Sequence, residues 1–148
     1  MKNKINIFTD NRGMFIPYNL KEWDQMNIST NYARYTFRGM HYQTSPYQTK
    51  LVKVIQGKVL DILYDLDSGK VQFYELDMHN ELLIADNYAH GFLTLEPDTI
   101  FTYLVKGEYN PESEHSIVWD TIPEIKKTVL EYTNQIPLTI SDKDKIGK

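Results

Sequence analysis

The sequence predicts an all-β fold, a barrel or sandwich with two short helices at its margin. Three observations carry this. Turn signals recur along the chain at Asp10-Asn11-Arg12-Gly13, Gln56-Gly57-Lys58, Asp67-Ser68-Gly69-Lys70, Glu96-Pro97-Asp98 and Lys106-Gly107. β-Branched and aromatic runs fill the intervals, the pattern of short strands joined by tight turns. Tyrosine supplies 11 of the 148 residues, and its apolar ring with a polar tip suits both strands and ligand pockets.

Taken in order, the first element is a short helix expected over Tyr18 to Gln25, after Pro17. Lys50 to Gln56 is an apolar, β-branched strand running into the Gly57 turn. Val59–Leu66 and Val71–Leu76 form a hairpin around Asp67-Ser68-Gly69, whose residues favour a tight turn. Phe92 to Leu95, Ile100 to Val105 and Ser116 to Trp119 read as further strands. Pro123 to Tyr132 is helical: a proline opens it, and Ile125, Val129 and Tyr132 recur at helical spacing. From Lys145 onward the end is expected to fray. No repeat, linker or low-complexity stretch interrupts residues 1–148, so the expectation is one domain.

Bulk composition excludes several function classes. Hydrophobic residues at 41% and charged residues at 24% are those of an ordinary globular chain. The net charge of −4 and the lack of a dense basic run argue against nucleic acid. No stretch approaches the apolar length of a membrane span, and Met1 to Asn6 lacks the long apolar core of a signal peptide. With no cysteine there is neither disulfide nor thiolate chemistry, which fits the cytoplasm.

The chemistry-bearing residues stand at strand entrances. His41 lies in Arg38-Gly39-Met40-His41-Tyr42-Gln43, Lys50 opens the strand that follows, and His90 opens another in Ala89-His90-Gly91-Phe92-Leu93. Alternation puts Phe101, Tyr103 and Val105 on one face, His90, Phe92 and Thr94 on one face, and Lys50 with Val52 and Val54. His41, His90, Lys50 and Tyr103 can therefore share a cavity walled by aromatic rings. A catalytic metal is not expected. His41 lacks the nearby second histidine of a metal-binding β-barrel, His79 sits in a turn-like stretch, and two inward histidines fall short of three protein ligands. No serine elbow, phosphate loop or dinucleotide fingerprint occurs, which leaves general acid–base work. Residue types and spacing alone stop at a β-barrel with a polar cavity.

The same residues resemble a known family, the nucleotide-sugar 3,5-epimerases acting on dTDP-4-keto-6-deoxyhexoses (the RmlC type). Asp10-Asn11-Arg12-Gly13-Met14-Phe15 is similar to its D-x-R-G-x-F opening, and Arg38 to Gln43 to its R-G-L-H-x-Q. Gln48 to Lys53, with Gly57, Val59 and Asp61, resembles Q-x-K-L-V-R-x-x-x-G-x-V-x-D; Ala89-His90-Gly91-Phe92 matches A-H-G-F. Tyr109 to Glu114 resembles Y-x-P-x-x-E, followed by Trp119-Asp120, and Ile140 to Asp144 resembles the terminal L-S-x-K-D. The chain departs from the family where Asp65 to Phe73 makes a short hairpin in place of a longer excursion containing S-P-T-F-G-x-W. It departs again at Ile84 to Tyr88, where the family has I-P-x-G-F, at Pro17, where a glutamate is frequent, and at Gln25 to Ser29, which only partly echoes Q-D-N-H-S.

The resemblance implies a cupin jelly-roll barrel with short peripheral helices, working as a homodimer without metal or organic cofactor. It implies His41 as the base beside the C4 ketone, Asp144 as its orienting carboxylate, and Tyr103 as the acid on the opposite face of the sugar. Lys50, helped by His90, would hold the enolate oxygen. Arg12 and Arg38 would hold the diphosphate, and Gln25, Asn27 and Gln43 would contact substrate. The expected substrate is a nucleotide-linked 4-keto-6-deoxy sugar inverted at C3, C5 or both. A 3,4-ketoisomerase, a non-catalytic sugar-nucleotide-binding cupin and a metal cupin are the alternatives.

Overall fold

The computed structural model describes residues 2–147 apart from 6, 12, 16–19 and 21. The strands are β1 (Lys2–Lys4), β2 (Phe8–Asp10), β3 (Gly13–Phe15), β4 (Gln25–Asn31), β5 (Thr36–Gln43), β6 (Thr49–Gln56) and β7 (Val59–Asp65). They continue as β8 (Val71–Leu76), β9 (Asn80–Ile84), β10 (Tyr88–Thr94), β11 (Thr99–Lys106), β12 (Glu114–Ser116) and β13 (Thr139–Ile140). Helices are α1 (Pro123–Thr133) and α2 (Asp142–Ile146), with single 3-10 turns at Pro111–Ser113 and Trp119–Thr121.

Two antiparallel sheets make the barrel. One runs β1-β9-β6-β11-β4; the other runs β12-β5-β10-β7-β8, with β13 added parallel to β5. Strands β2 and β3 form a separate hairpin. This double-sheet jelly roll is the cupin-type architecture expected from the sequence. Between the sheets lies a core of Val52, Val54, Leu63, Leu82, Phe92 and Phe101. A second cluster, with Phe37, Met40, Leu60, Ile62 and Leu93, lies under α1. β7 is buried along most of its length because it is covered on both faces, which is why it reads as an apolar run broken within Val59 to Leu63 only by Asp61.

The Val59/Val71 hairpin forms with Val59 opposite Leu76 and Tyr64 opposite Val71. Its turn is closed by the Asp65 carboxylate, which accepts from the Asp67 and Ser68 amides. α1 begins at its proline and ends at Asn134 in the left-handed conformation, a standard way of stopping a helix. Thr133, not Tyr132, completes its buried stripe with Ile125 and Val129; four-residue spacing brings it back to the core, and its hydroxyl donates to the Val129 carbonyl at 2.9 Å.

Three expectations change. Of the helix expected over Tyr18 to Gln25, residues 18, 19 and 21 lie outside the described set. The described remainder is not helical, and Gln25 opens β4 because that backbone pairs with β11, Gln25 opposite Val105. The strand expected over Ser116 to Trp119 stops at Ser116, and Trp119 begins a 3-10 turn that lays its ring on Phe37 at 5.9 Å. At the C-terminal end α2 continues through Ile146, past the point where fraying was expected.

Candidate active site

The two sheets meet along a cleft, and each contributes one kind of chemistry. β5, β10 and β7 carry His41, His90 and Asp61. β6, β11 and β4 carry Lys50, Tyr103, Asn27 and Gln25 on the opposing wall. Two adjoining cavities of about 320 and about 430 Å³ share Asn27, His41, Lys50 and Tyr103, a size suited to a small-molecule ligand.

Close backbone contact places the histidines. β10 carries a register shift between His90 and Phe92, a bulge that re-aims the neighbouring side chain. There Gly39, at φ +130, approaches Gly91 so closely that a Cβ on Gly39 would lie 2.5 Å from the Gly91 Cα. This crossing leaves His90 directly opposite His41. It gives a physical reason for glycine in both Arg38-Gly39-Met40-His41 and His90-Gly91-Phe92.

Each histidine is held by its own carboxylate. His41 Nε2 lies 2.6 Å from Asp144 Oδ1, and Asp144 Oδ2 accepts the Gly39 amide at 3.1 Å. Burial works to raise the Asp144 carboxyl, but the hydrogen bond and charge of His41, with the Gly39 amide, outweigh it and the pKa is lowered. An ionised Asp144 can only accept, so Nε2 of His41 donates the shared proton and Nδ1 is the ring nitrogen left free of this bond. His90 Nε2 lies 2.7 Å from Asp61 Oδ2, deep between the sheets. Burial pushes the Asp61 carboxyl up and the His90 imidazole down, and each holds the other's shift partly in check. Phe92 and Phe101, stacked at 4.1 Å, and the His90 ring close this end of the cleft.

Lys50 Nζ sits 5.5 Å above the Tyr103 ring, within cation–π range. Burial brings its pKa down to about 8, against the opposing charges of Asp61 and Glu114. Burial raises the Tyr103 hydroxyl, with a hydrogen bond to Asn27 acting the other way, so Tyr103 holds its proton at neutral pH. The cleft therefore joins a carboxylate-oriented imidazole, a phenol and a readily titrated ammonium.

The structure brings together every residue singled out in the sequence except Arg12, which lies outside the described residues. Tyr103 shares its face with Phe101 and Val105, and Lys50 shares its face with Val52 and Val54. Gln25 and Asn27 line the cleft, linked at 2.7 Å. Arg38 lies at its edge with Nε on Asn31 Oδ1 at 2.7 Å and one Nη on the Thr30 carbonyl at 3.2 Å. Gln43 borders the cleft, but its amide ties loops together: Nε2 donates to the Pro46 and Glu108 carbonyls, and Oε1 accepts from the Asn110 amide.

Asp61, Glu114, Tyr109 and Lys143 were not singled out as site residues. Asp61 had a signal, a lone acid in the middle of the apolar run Val59 to Leu63. The other three gave none beyond their motifs. His79 lies in a turn, and His115 stacks on Tyr42 at 5.1 Å. Among the described residues no group of three or more His, Cys, Asp or Glu side chains converges as a metal shell.

Fold and site together define a cupin-type jelly roll with an acid–base cleft between its sheets. The chain belongs to the dTDP-4-dehydrorhamnose 3,5-epimerase family, whose family model matches residues 2–148. Proteins of this family are epimerases, and so isomerases. A dTDP-4-dehydrorhamnose 3,5-epimerase of Neisseria gonorrhoeae is 32% identical over 161 residues, covering 98% of this chain; the chain spans only 48% of that relative's length. The crystal structure of the Bacillus anthracis dTDP-4-dehydrorhamnose 3,5-epimerase with TDP and PPi bound superposes at a TM-score of 0.81. It is 32% identical, covering 98% of this chain and 90% of the other. The Legionella pneumophila enzyme in complex with dTDP-4-keto-L-rhamnose superposes at 0.80 with 26% identity, covering 100% and 92%.

Proposed function

We propose that the protein epimerises a dTDP-linked 4-keto-6-deoxy sugar at C3, C5 or both, by proton transfer through an enolate. The observation that carries this reading is the placement of His41 and Tyr103 on opposing sheets of one cleft, with Lys50 beside Tyr103 in the same cavity. Inverting a carbon needs a base on one face and an acid on the other. The neighbouring ketone makes that carbon acidic.

In this reading Nδ1 of His41 takes the proton from the carbon next to the ketone, and the C–H electrons pass into the enolate. Asp144 stabilises the resulting imidazolium. Lys50 donates to the enolate oxygen, with His90 beside it. Tyr103 returns a proton to the opposite face, and solvent restores the phenol and the imidazole. Arg38 at the cleft edge, with Arg12, holds the diphosphate; a guanidinium fork suits that group. The TDP and dTDP-sugar bound by the Bacillus anthracis and Legionella pneumophila relatives support a dTDP ligand here.

Two further parts of the reading follow. β4 ends one sheet and exposes Met26 and Ile28, apolar side chains on an edge strand, which supports a homodimer paired through this face. Among the described residues no helix is long and apolar enough to cross a membrane, and with a nucleotide-sugar substrate the reading places the enzyme in the cytoplasm.

The test is solvent exchange. The protein is incubated in D2O with dTDP-4-keto-6-deoxy sugars, and C3 and C5 are followed by NMR. Deuterium entering at either carbon, and lost in His41→Asn, is the expected result. Measurable binding with no exchange in the unaltered protein would overturn the reading in favour of a binding module.

A further inference from the structure

Asp144 reaches His41 from α2, a helix of only five residues that follows the two-residue strand β13. A helix this short does not hold its shape alone, so its orientation depends on what it is tied to. Ser141 caps it by accepting the Asp144 amide at 3.2 Å, and Gly147 lies against Val118. Among the described residues, the side-chain hydrogen bonds from α2 to the sheet come from Asp144 and Lys143.

We infer that Glu114 and Lys143 are positioning residues, which fix the rotation of α2 and so set the His41–Asp144 hydrogen bond. Lys143 Nζ donates to Glu114 Oε1 at 3.1 Å, and Tyr109 Oη donates to Glu114 Oε2 at 2.9 Å. Both oxygens of one partly buried carboxylate are thus held. β12 pairs with β5 so that Glu114 faces Gln43 and Ser116 faces His41. The anchor and the base therefore ride on neighbouring strands. Successive helix residues point about 100° apart, so the attachment at Lys143 adds to that at Asp144 a second point, on a different side of α2, that restrains its rotation.

As a source of stability the pair counts for little, because the Lys143 side chain is 53% exposed. Its importance is geometric: a displacement of about 1 Å at a reacting group can cost about a hundredfold in rate. The inference uses the epimerase reading for its kinetic measurement only.

Lys143→Gln, Glu114→Gln and the conservative Lys143→Arg test it. Each is assayed for kcat and KM on a dTDP-linked 4-keto-6-deoxy sugar, and by NMR for the His41 Nε2–H resonance without ligand. Both Gln variants should lower kcat roughly tenfold with KM little changed, and should broaden the His41 resonance. Lys143→Arg should restore both. A rise in KM alone with the His41 resonance intact would overturn the inference and make Lys143 a contact to the diphosphate. Unchanged kinetics and resonance would overturn it too. If the unaltered protein turned over no such sugar, the epimerase reading would fall, while the NMR comparison would still decide the role of Lys143 and Glu114.

Discussion

His41 and His90 stand directly opposite each other across β5 and β10, and each leans on a different carboxylate, Asp144 for the first and Asp61 for the second. The two pairs are not equivalent. Asp144 lines the cleft with its pKa lowered, whereas Asp61 is fully buried away from it with its pKa raised. On the proposed reading the two chemically matched pairs have different duties: Asp144 orients the base, and Asp61 sets the field at the closed end of the cleft.

Asp144→Asn should therefore lower turnover roughly a hundred- to ten-thousandfold, the usual share of general-base catalysis. An amide at this position can accept from His41 Nε2 but brings no charge to stabilise the imidazolium. Substrate affinity should change little, because Asp144 faces His41. The check is kcat and Kd measured side by side. A Kd that rises as steeply as kcat falls would mean that Asp144 binds substrate directly.

Lys50 predicts the pH dependence. Burial lowers its pKa in the folded protein to about 8, against the usual 10.5 for lysine, so it loses its charge as pH rises through about 8. Turnover should fall over that range as the enolate loses its cationic donor. Stability should respond in the opposite sense. Between about 8 and 10.5 the unfolded chain binds the extra proton, so this group's contribution rises with pH, the penalty for a buried ammonium being relieved. Asp61→Asn should move the fall in turnover to lower pH, because Asp61 is the charge that most supports the Lys50 ammonium. A fall that stays in place in this variant would count against Lys50 as the titrating group.

Gly39→Ala should destabilise the fold. The new methyl would lie 2.5 Å from the Gly91 Cα and 2.9 Å from the His90 carbonyl, on a backbone at φ +130 that disfavours a side chain. Overpacking of this kind costs about 1–3 kcal/mol, which lowers Tm by about 2–4 °C per kcal/mol in a domain of this size. Gly91→Ala meets the Met40 sulfur at 2.6 Å and the Arg38 carbonyl, so it should act in the same direction. Thermal melts of both variants check this. An unchanged Tm would mean that β5 and β10 can separate without cost.

The fold was legible because strand and turn signals are local. The Val59–Leu76 hairpin, α1 and the inward face of β11 follow from turn chemistry and two- or four-residue spacing within single segments. Gln25 was misread because nothing near it in the chain records that β11 pairs with it. The site divides the same way. Composition and spacing reached a polar cavity holding His41, His90, Lys50 and Tyr103, and only the family resemblance supplied Asp144, which meets His41 from 103 residues away. Glu114 and Lys143 stayed hidden because their pairing spans 29 residues and depends on how α2 docks. Asp61 was the one missed residue that local chemistry could have flagged, a carboxylate set in an apolar strand.

Tyr103→Phe separates the two proton transfers. The phenylalanine ring keeps the packing against Phe101, whose ring centre lies 6.0 Å away, and the surface beneath Lys50. Folding and substrate affinity should therefore persist. His41 remains competent to remove the proton on its own face, so in D2O the substrate should still exchange hydrogen for deuterium there. With no phenol on the opposite wall, deuterium can return only from the face it left, and the carbon keeps its configuration. Exchange without inversion is thus the expected signature, read by NMR from the isotope content and coupling constants of recovered sugar. Inversion at an undiminished rate would show that water or another group supplies the second proton, and Tyr103 would then be a packing residue in the wall of the cleft.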